Sequence, residues 1–140
     1  MKNQIVINIP TNIPRILTPN RSWAAHWSQV AHAKKQLQIK TLYSAIDARN
    51  TWLKDNPGAT LPFKKGELYW EIIIKDRRSL MDDDNAIAGL KFCRDMLQVE
   101  NERWFGAGII ADDRDFVTGR LTWTISKEKA PMLILTVVER

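Results

Sequence analysis

Short stretches of alternating apolar and polar residues predict β-strands along the chain. Between residues 67 and 76, Leu68, Trp70 and Ile72 share one face, which indicates a long strand. The segment 132–138 is apolar on both faces, which is typical of a central strand. In chain order, the predicted strands lie at 5–9, 67–76, 109–110, 121–125 and 132–138.

Two longer segments repeat apolar residues at the spacing of an amphipathic helix. The first runs from about Ser22 to Leu53, and either Asn20 or Ser22 could cap its start. The second follows Asp84. The order β-α-β-α-β-β-β predicts a single α+β domain over residues 1–140, with two helices packed on a mixed parallel and antiparallel sheet. The expected apolar stripes contain Trp23, Trp27, Val30, Ala33 and Leu37 in the first helix, and Ile87, Leu90 and Leu97 in the second.

The composition indicates a folded protein outside membranes. The chain has 140 residues, of which 44% are hydrophobic, and this is enough for one domain with a core. No apolar run approaches the ~20 residues of a membrane span, and the N-terminus lacks the apolar core of a signal peptide. The single cysteine, Cys93, excludes an internal disulfide. We therefore expect a cytoplasmic protein with no membrane association.

The charge is divided unevenly between the two halves of the chain. Residues 1–66 carry ten Lys or Arg and two Asp or Glu, whereas residues 67–140 carry eleven and fourteen. A basic surface around an acidic site suits a metal-dependent nuclease, because it attracts the DNA backbone while the acids capture a cation. The basic residues are equally consistent with a solvated helix face.

Acidic residues are concentrated in two short segments, one before the second predicted helix and one in a turn. Hard oxygen ligands of this kind suit Mg²⁺, which is commonly held by one or two carboxylates plus substrate phosphates. In an extended lead-in, Asp82 and Asp84 would project toward one ion, and Asp83 would project away from it. Helix capping and turn preferences explain the same residues without function. The two segments contain Asp82, Asp83, Asp84, Asp112, Asp113 and Asp115.

Lys91 is the candidate catalytic cation. It follows Asp84 by seven residues, which is close to two helical turns, so both share one face of the helix. A long side chain that leans toward the helix N-terminus could approach the acidic cluster. A solvated lysine is the ordinary alternative.

The ordered set of motifs resembles the RusA family of Holliday junction resolvases, which are small nucleases common in phages and prophages. The specific part of the resemblance covers roughly residues 76–117. It consists of a strand, Asp82-x-Asp84-Asn85, a helix with Lys91 and Asp95, and then Gly108 to Asp113 followed by Val117. The opening Leu17-Thr18-Pro19-Asn20-Arg21, with Trp27 and Lys34-Lys35 downstream, is also similar to that family.

The resemblance implies a Mg²⁺-dependent endodeoxyribonuclease that acts as a homodimer on four-way DNA junctions in recombination and repair. By position, Asp82 and Asp84 match the paired metal-site carboxylates, and Asp113 matches the third, with Asp112 beside it as a further metal ligand. A bound metal would polarise the scissile phosphate and lower the pKa of a water for in-line attack.

The same resemblance implies that Lys91 is the catalytic lysine, although its position departs from the pattern. In the usual form of the motif the lysine follows the asparagine within one turn, and this chain has Ala88 there. Lys91 lies one turn further along the same face and keeps the four-residue step to Asp95. We therefore interpret Lys91 as the shifted counterpart, which would stabilise developing charge or orient the water.

The predicted DNA contacts are basic residues on both sides of the acidic cluster. Arg77 and Arg78 directly precede the cluster and would hold flanking phosphates. Further contacts are expected from Lys34, Lys35 and Lys40, which lie off the apolar stripe of the first helix, and from Arg21.

Two alternatives stay open at this point. One is a non-catalytic protein of the same fold that binds junctions or other branched DNA. The other is a nuclease that acts on other branched substrates.

Overall fold

The computed structural model describes residues 3–18, 26–103 and 105–140. Their elements follow the order β-α-β-α-β-β, with short 3₁₀ turns between some of them. The strands are β1 (Gln4–Ile9), β2 (Gly66–Ile74), β3 (Phe116–Ile125) and β4 (Met132–Glu139), and the helices are α1 (Trp27–Asp55) and α2 (Asp83–Asp95).

The four strands form one mixed sheet in the order β1-β4-β2-β3. β4 pairs antiparallel with both β1 and β2, whereas β2 and β3 run parallel. The predicted α+β class with a mixed sheet is therefore confirmed. The prediction that 132–138 forms a central strand is also confirmed, because β4 lies between β1 and β2.

The core lies between one face of the sheet and the two helices. Cross-strand partners on that face align in rows, and Ile7, Leu135 and Trp70 form one such row at 2% exposure or less. Side chains of both helices, such as Leu37 of α1 and Leu90 of α2, belong to the same buried cluster. The alternation read from the sequence identified this buried face correctly.

Helix α1 begins at Trp27, later than the predicted start at Ser22. His26 has an extended backbone and its Nδ1 accepts a hydrogen bond from the Ser28 amide at 3.2 Å, so His26 caps the helix. The side chain of Trp27 is 76% exposed, so placing it on the apolar stripe was wrong. The other candidate caps and stripe residue before His26, namely Asn20, Ser22 and Trp23, lie outside the described residues.

Helix α2 buries a face rotated slightly from the predicted one. Ile87 is 37% exposed, whereas Ala86 and Gly89 are buried against the core. A Cβ at Gly89 would lie 2.6 Å from Cγ2 of Ile13, so the glycine allows the loop after β1 to pack closely on the helix. Leu90 is buried as predicted, and Ala86 and Gly89 complete the contact face with small residues, which a pattern of large apolar residues does not reveal.

The predicted strand at 109–110 was wrong. Ile110 forms only isolated bridges, with Phe63 on one side and Gln98 on the other. Gly108 precedes it with a φ of +69°, and a turn begins soon after at Asp112, so the extended segment is too short to join the sheet. In the part of the chain that the structure describes, neither helix is long and apolar enough to cross a membrane.

Candidate functional site

The predicted acidic residues lie at opposite ends of α2. The helix starts beyond the carboxyl end of β2 and runs back along the sheet. β3 is parallel to β2 and begins with Phe116 opposite Gly66, so Asp113 lies near the amino end of β2. The 13 residues of α2 span about 20 Å at 1.5 Å per residue. The structure therefore does not bring Asp113 to Asp82 and Asp84 within one chain.

At the amino end of α2, three carboxylates are exposed in succession. Asp82 is the N-cap residue and makes no capping hydrogen bond with its side chain, while Asp83 and Asp84 lie in the first turn. Only Asp82 has an extended backbone, so the expected alternation of an extended lead-in is not present. Helix geometry arranges these carboxylates around the end of α2 instead.

Asp83, which the alternation predicted to project away from the ion, has a defined hydrogen-bond partner. Its Oδ1 accepts a hydrogen bond of 3.0 Å from the indole Nε1 of Trp123 on β3. Among the described residues, Asp82 and Asp84 have no ion pair and no side-chain hydrogen bond. The partial positive charge of the helix N-terminus favours these two carboxylates.

The turn that precedes α2 and the loop after β1 carry three arginines. Residues 77–79 form a 3₁₀ turn capped by Asp76, whose side chain accepts from the amide of Arg78 at 2.8 Å. The guanidinium of Arg78 also pairs with Asp76 at 3.0 Å, and its hydrogen bonds lower the pKa of that carboxyl. Arg77 is exposed beside it. Arg15 reaches across from the loop after β1 and donates to the backbone carbonyl of Arg78.

At the carboxyl end of α2, Arg94 binds the segment that leads into β3. Its Nε donates to Oδ1 of Asp113 at 2.8 Å, and its terminal nitrogens donate to the Thr118 hydroxyl at 2.7 Å and the Phe116 carbonyl at 2.8 Å. The side chain of Arg94 is only 16% exposed. Asp113 is therefore part of a structural bracket between α2 and β3.

Asp95 lies beside this bracket in a mixed environment. Burial raises the pKa of its carboxyl, and the charge of Asp113 raises it further, whereas Lys91 and Lys34 lower it. The ammonium of Lys34 also lies 5.3 Å from the centre of the Phe92 ring, in cation–π contact. Lys34 thus belongs to the contact between the two helices as well as to the surface.

Lys91 is exposed on α2 and acts electrostatically on Asp95, which lies one turn further on. In the ranges that the structure describes, it forms no ion pair. Its Cα lies about 10 Å along the helix axis from that of Asp84, at 1.5 Å per residue over seven residues. The structure therefore places Lys91 between the two acidic ends rather than in either one.

Asp112 is engaged in a local turn. Its side chain caps the 3₁₀ turn Asp113–Asp115 by accepting from the Arg114 amide at 3.0 Å, and it pairs with the Arg114 guanidinium at 2.9 Å. The hydrogen bonds from Arg114 lower the pKa of Asp112.

Of the other predicted DNA contacts, Lys35 and Lys40 are exposed on α1, and Arg21 lies outside the described residues.

A metal site made of three or more acidic, histidine or cysteine side chains is absent from the described part of one chain. The donor set that remains is the pair Asp82 and Asp84, which are exposed and uncompensated. Two carboxylates fit Mg²⁺, because this ion usually keeps several waters and takes further oxygens from substrate phosphates.

Sequence reasoning missed three residues that organise the site. Arg94 carried no local signal, since its partners follow it by about 20 positions in the chain. Trp123 lies within the predicted strand 121–125, and Arg15 lies in a proline-containing loop, so neither position indicated a role in the site.

Neither a scan against protein-family models nor a search of curated proteins finds a match for this chain.

Proposed function

We propose that this protein is a Mg²⁺-dependent endonuclease that cuts branched DNA, with four-way junctions as its main substrate. The observation that carries the proposal is the exposed pair Asp82 and Asp84, which has no cationic partner among the described residues although arginines lie close by in the chain. An acidic pair that served only to stabilise the fold would be expected to have compensating partners, as Asp113 has in Arg94.

The chain's own residues supply binding and orientation. Asp82 and Asp84 would hold the cation, and Arg77, Arg78 and Arg15 would hold the phosphates on either side of the cut. A bound Mg²⁺ would polarise the scissile phosphate and activate a water. Lys34, Lys35 and Lys40 extend the positive surface along α1.

Asp113 can join the site only from a second copy of the chain, because about 20 Å separates the two ends of α2. A two-fold axis across α2 would place the amino end of one helix against the carboxyl end of the other. Arg94 donates a hydrogen bond only to Oδ1 of the Asp113 side chain, so Oδ2 would be able to bind a ligand. In such a homodimer, Lys91 would lie near the middle of the shared interface.

The test is incubation of end-labelled four-way DNA with Mg²⁺ and the wild-type protein, Asp84→Asn or Asp83→Asn. We expect wild type and Asp83→Asn to cut the junction, because an asparagine at position 83 can still accept from Trp123. Asp84→Asn should lose at least about a hundredfold in rate while binding remains. Tight binding by wild type without any cut would contradict the proposal.

A second candidate is a non-catalytic protein that binds branched DNA. It is favoured by the absence of a three-ligand metal site in the described part of one chain and by Ala88 at the usual lysine position. It predicts salt-sensitive junction binding that Mg²⁺ does not convert into product. A panel of flaps, forks and junctions in the same assay separates both candidates from a nuclease with another branched target.

A further inference from the structure

A cavity of about 280 Å³ opens beside the amino end of α2, between the loop after β1 and the ends of β2 and β3. It borders the candidate site through Met81, which directly precedes Asp82, and through Trp123, which is bonded to Asp83. Its lining consists of Asn12, Ile13, Pro14, Arg15, Ile72, Ile74, Ser79, Met81 and Trp123.

We propose that this cavity binds one unstacked nucleobase of the DNA strand that runs past Asp82 and Asp84. This inference rests on the proposed function, since it places a base next to the phosphate that would be cut. Trp123 provides an aromatic surface whose orientation is fixed by its hydrogen bond to Asp83. Bases stack on such surfaces regardless of their identity, because every base has a π-face.

The remaining walls suit a base better than a purely apolar ligand. Ile72 and Ile74 give an apolar floor, while the amide of Asn12 and the hydroxyl of Ser79 add donors and acceptors. Enzymes that accept an extruded base read its edge with such groups. The cavity therefore offers both a stacking surface and partners for the hydrogen-bonding edge.

The surroundings indicate a base that belongs to a strand rather than a free small molecule. Arg15 lines the cavity and is held in place by its bond to the Arg78 carbonyl, and Arg77 and Arg78 are exposed on the adjacent turn. These cations would hold the phosphates on either side of the base. A branch point supplies weakly stacked bases, which cost little to extrude.

The experiment uses a short single strand in which one 2-aminopurine is the only base and every other position is abasic. Its affinity for the protein is compared with that of a fully abasic strand, without Mg²⁺, and stacking is followed by quenching of the 2-aminopurine fluorescence. Wild type should prefer the strand with the base by about tenfold, within the range measured for stacking on an aromatic side chain. Trp123→Phe should keep most of the preference, and Trp123→Leu should lose it.

Ser79→Leu is the second variant, because it adds bulk to the cavity without an aromatic ring, leaves Trp123 unchanged and keeps the test valid if Trp123→Leu fails to fold. It should bind both strands equally and leave the fluorescence unquenched. Equal binding of the two strands by wild type, no binding of either strand, or an unchanged preference in Ser79→Leu would overturn the proposal. Equal binding together with normal junction cleavage rejects the base site alone, whereas a retained preference without cleavage rejects the proposed function alone.

Discussion

The two ends of α2 both carry acidic side chains, but they hold them in opposite ways. At the carboxyl end, Asp113 accepts a hydrogen bond from the guanidinium of Arg94. The Arg94 side chain is only 16% exposed and also donates hydrogen bonds to Thr118 and Phe116 of β3. At the amino end, Asp82 and Asp84 are exposed and, among the described residues, have no cationic partner.

A concentration of charge does not by itself identify a functional site. The carboxyl end is compensated and stabilises the connection between α2 and β3. In the proposed function, Asp82 and Asp84 at the amino end bind the cation, and Asp113 reaches the same site from a second copy of the chain.

Arg94→Met gives the largest expected effect on stability and tests whether the carboxyl end is a structural bracket. We expect a loss of about 3 kcal/mol in the free energy of unfolding, because Asp113 and the Phe116 carbonyl lose a partly buried partner. Urea unfolding measures it. The matched control is Arg78→Met, which removes an ion pair whose arginine is 92% exposed and should leave the free energy of unfolding nearly unchanged. Equal losses in both variants would remove the distinction between the two ends.

Mg²⁺ should stabilise the amino end alone, with an intermediate effect. At about ten times its Kd, a ligand of the folded state adds about 1.4 kcal/mol to stability. We expect Mg²⁺ to raise the thermal midpoint of wild type and of Asp83→Asn, but not that of the double variant Asp82→Asn/Asp84→Asn. A midpoint that responds to Mg²⁺ in the double variant as it does in wild type would place the cation elsewhere.

Asp95→Asn should give the smallest effect, with a characteristic pH dependence. The pKa of Asp95 is raised in the folded chain from its ordinary value of 3.8, chiefly by burial. The stability that its protonated form contributes is therefore present below pH 3.8 and is lost as the pH rises through the folded pKa. At neutral pH the variant should be more stable than wild type by no more than about 0.5 kcal/mol, because Asp95 is partly exposed. Thermal melts from below pH 3.8 to neutral pH measure the difference in stability between the variant and wild type. A variant less stable than wild type at neutral pH would contradict the prediction.

The fold was largely predictable because its signals are local. Alternation in the segments that became β1 and β2 identified both the strands and their buried faces, and the apolar run 132–138 identified β4 as a central strand. The errors arose where packing decided the outcome. Gly89 lets Ile13 approach α2 on the face where Ala86 is also buried, and this contact joins residues far apart in sequence.

The candidate site was predictable only in part, for a topological reason. Asp82 and Asp84 lie at a helix start that follows a strand, so their common location at the amino end of α2 follows from local signals. Asp113 comes only 29 positions after Asp84, which suggests proximity. Because β2 and β3 pair in parallel, Asp113 lies instead at the other end of the sheet. The hydrophobic pattern of the sequence does not predict that pairing.

The most direct test of the account is subunit mixing in the junction-cleavage assay. Protein with Asp84→Asn is mixed with protein carrying Asp113→Asn, under conditions that exchange subunits. In a mixed dimer with shared sites, one site combines intact Asp82 and Asp84 with intact Asp113, so the mixture should cut in the presence of Mg²⁺ although each variant alone does not. Full activity of Asp113→Asn alone, or a mixture as inactive as its parents despite proven exchange, would contradict the account.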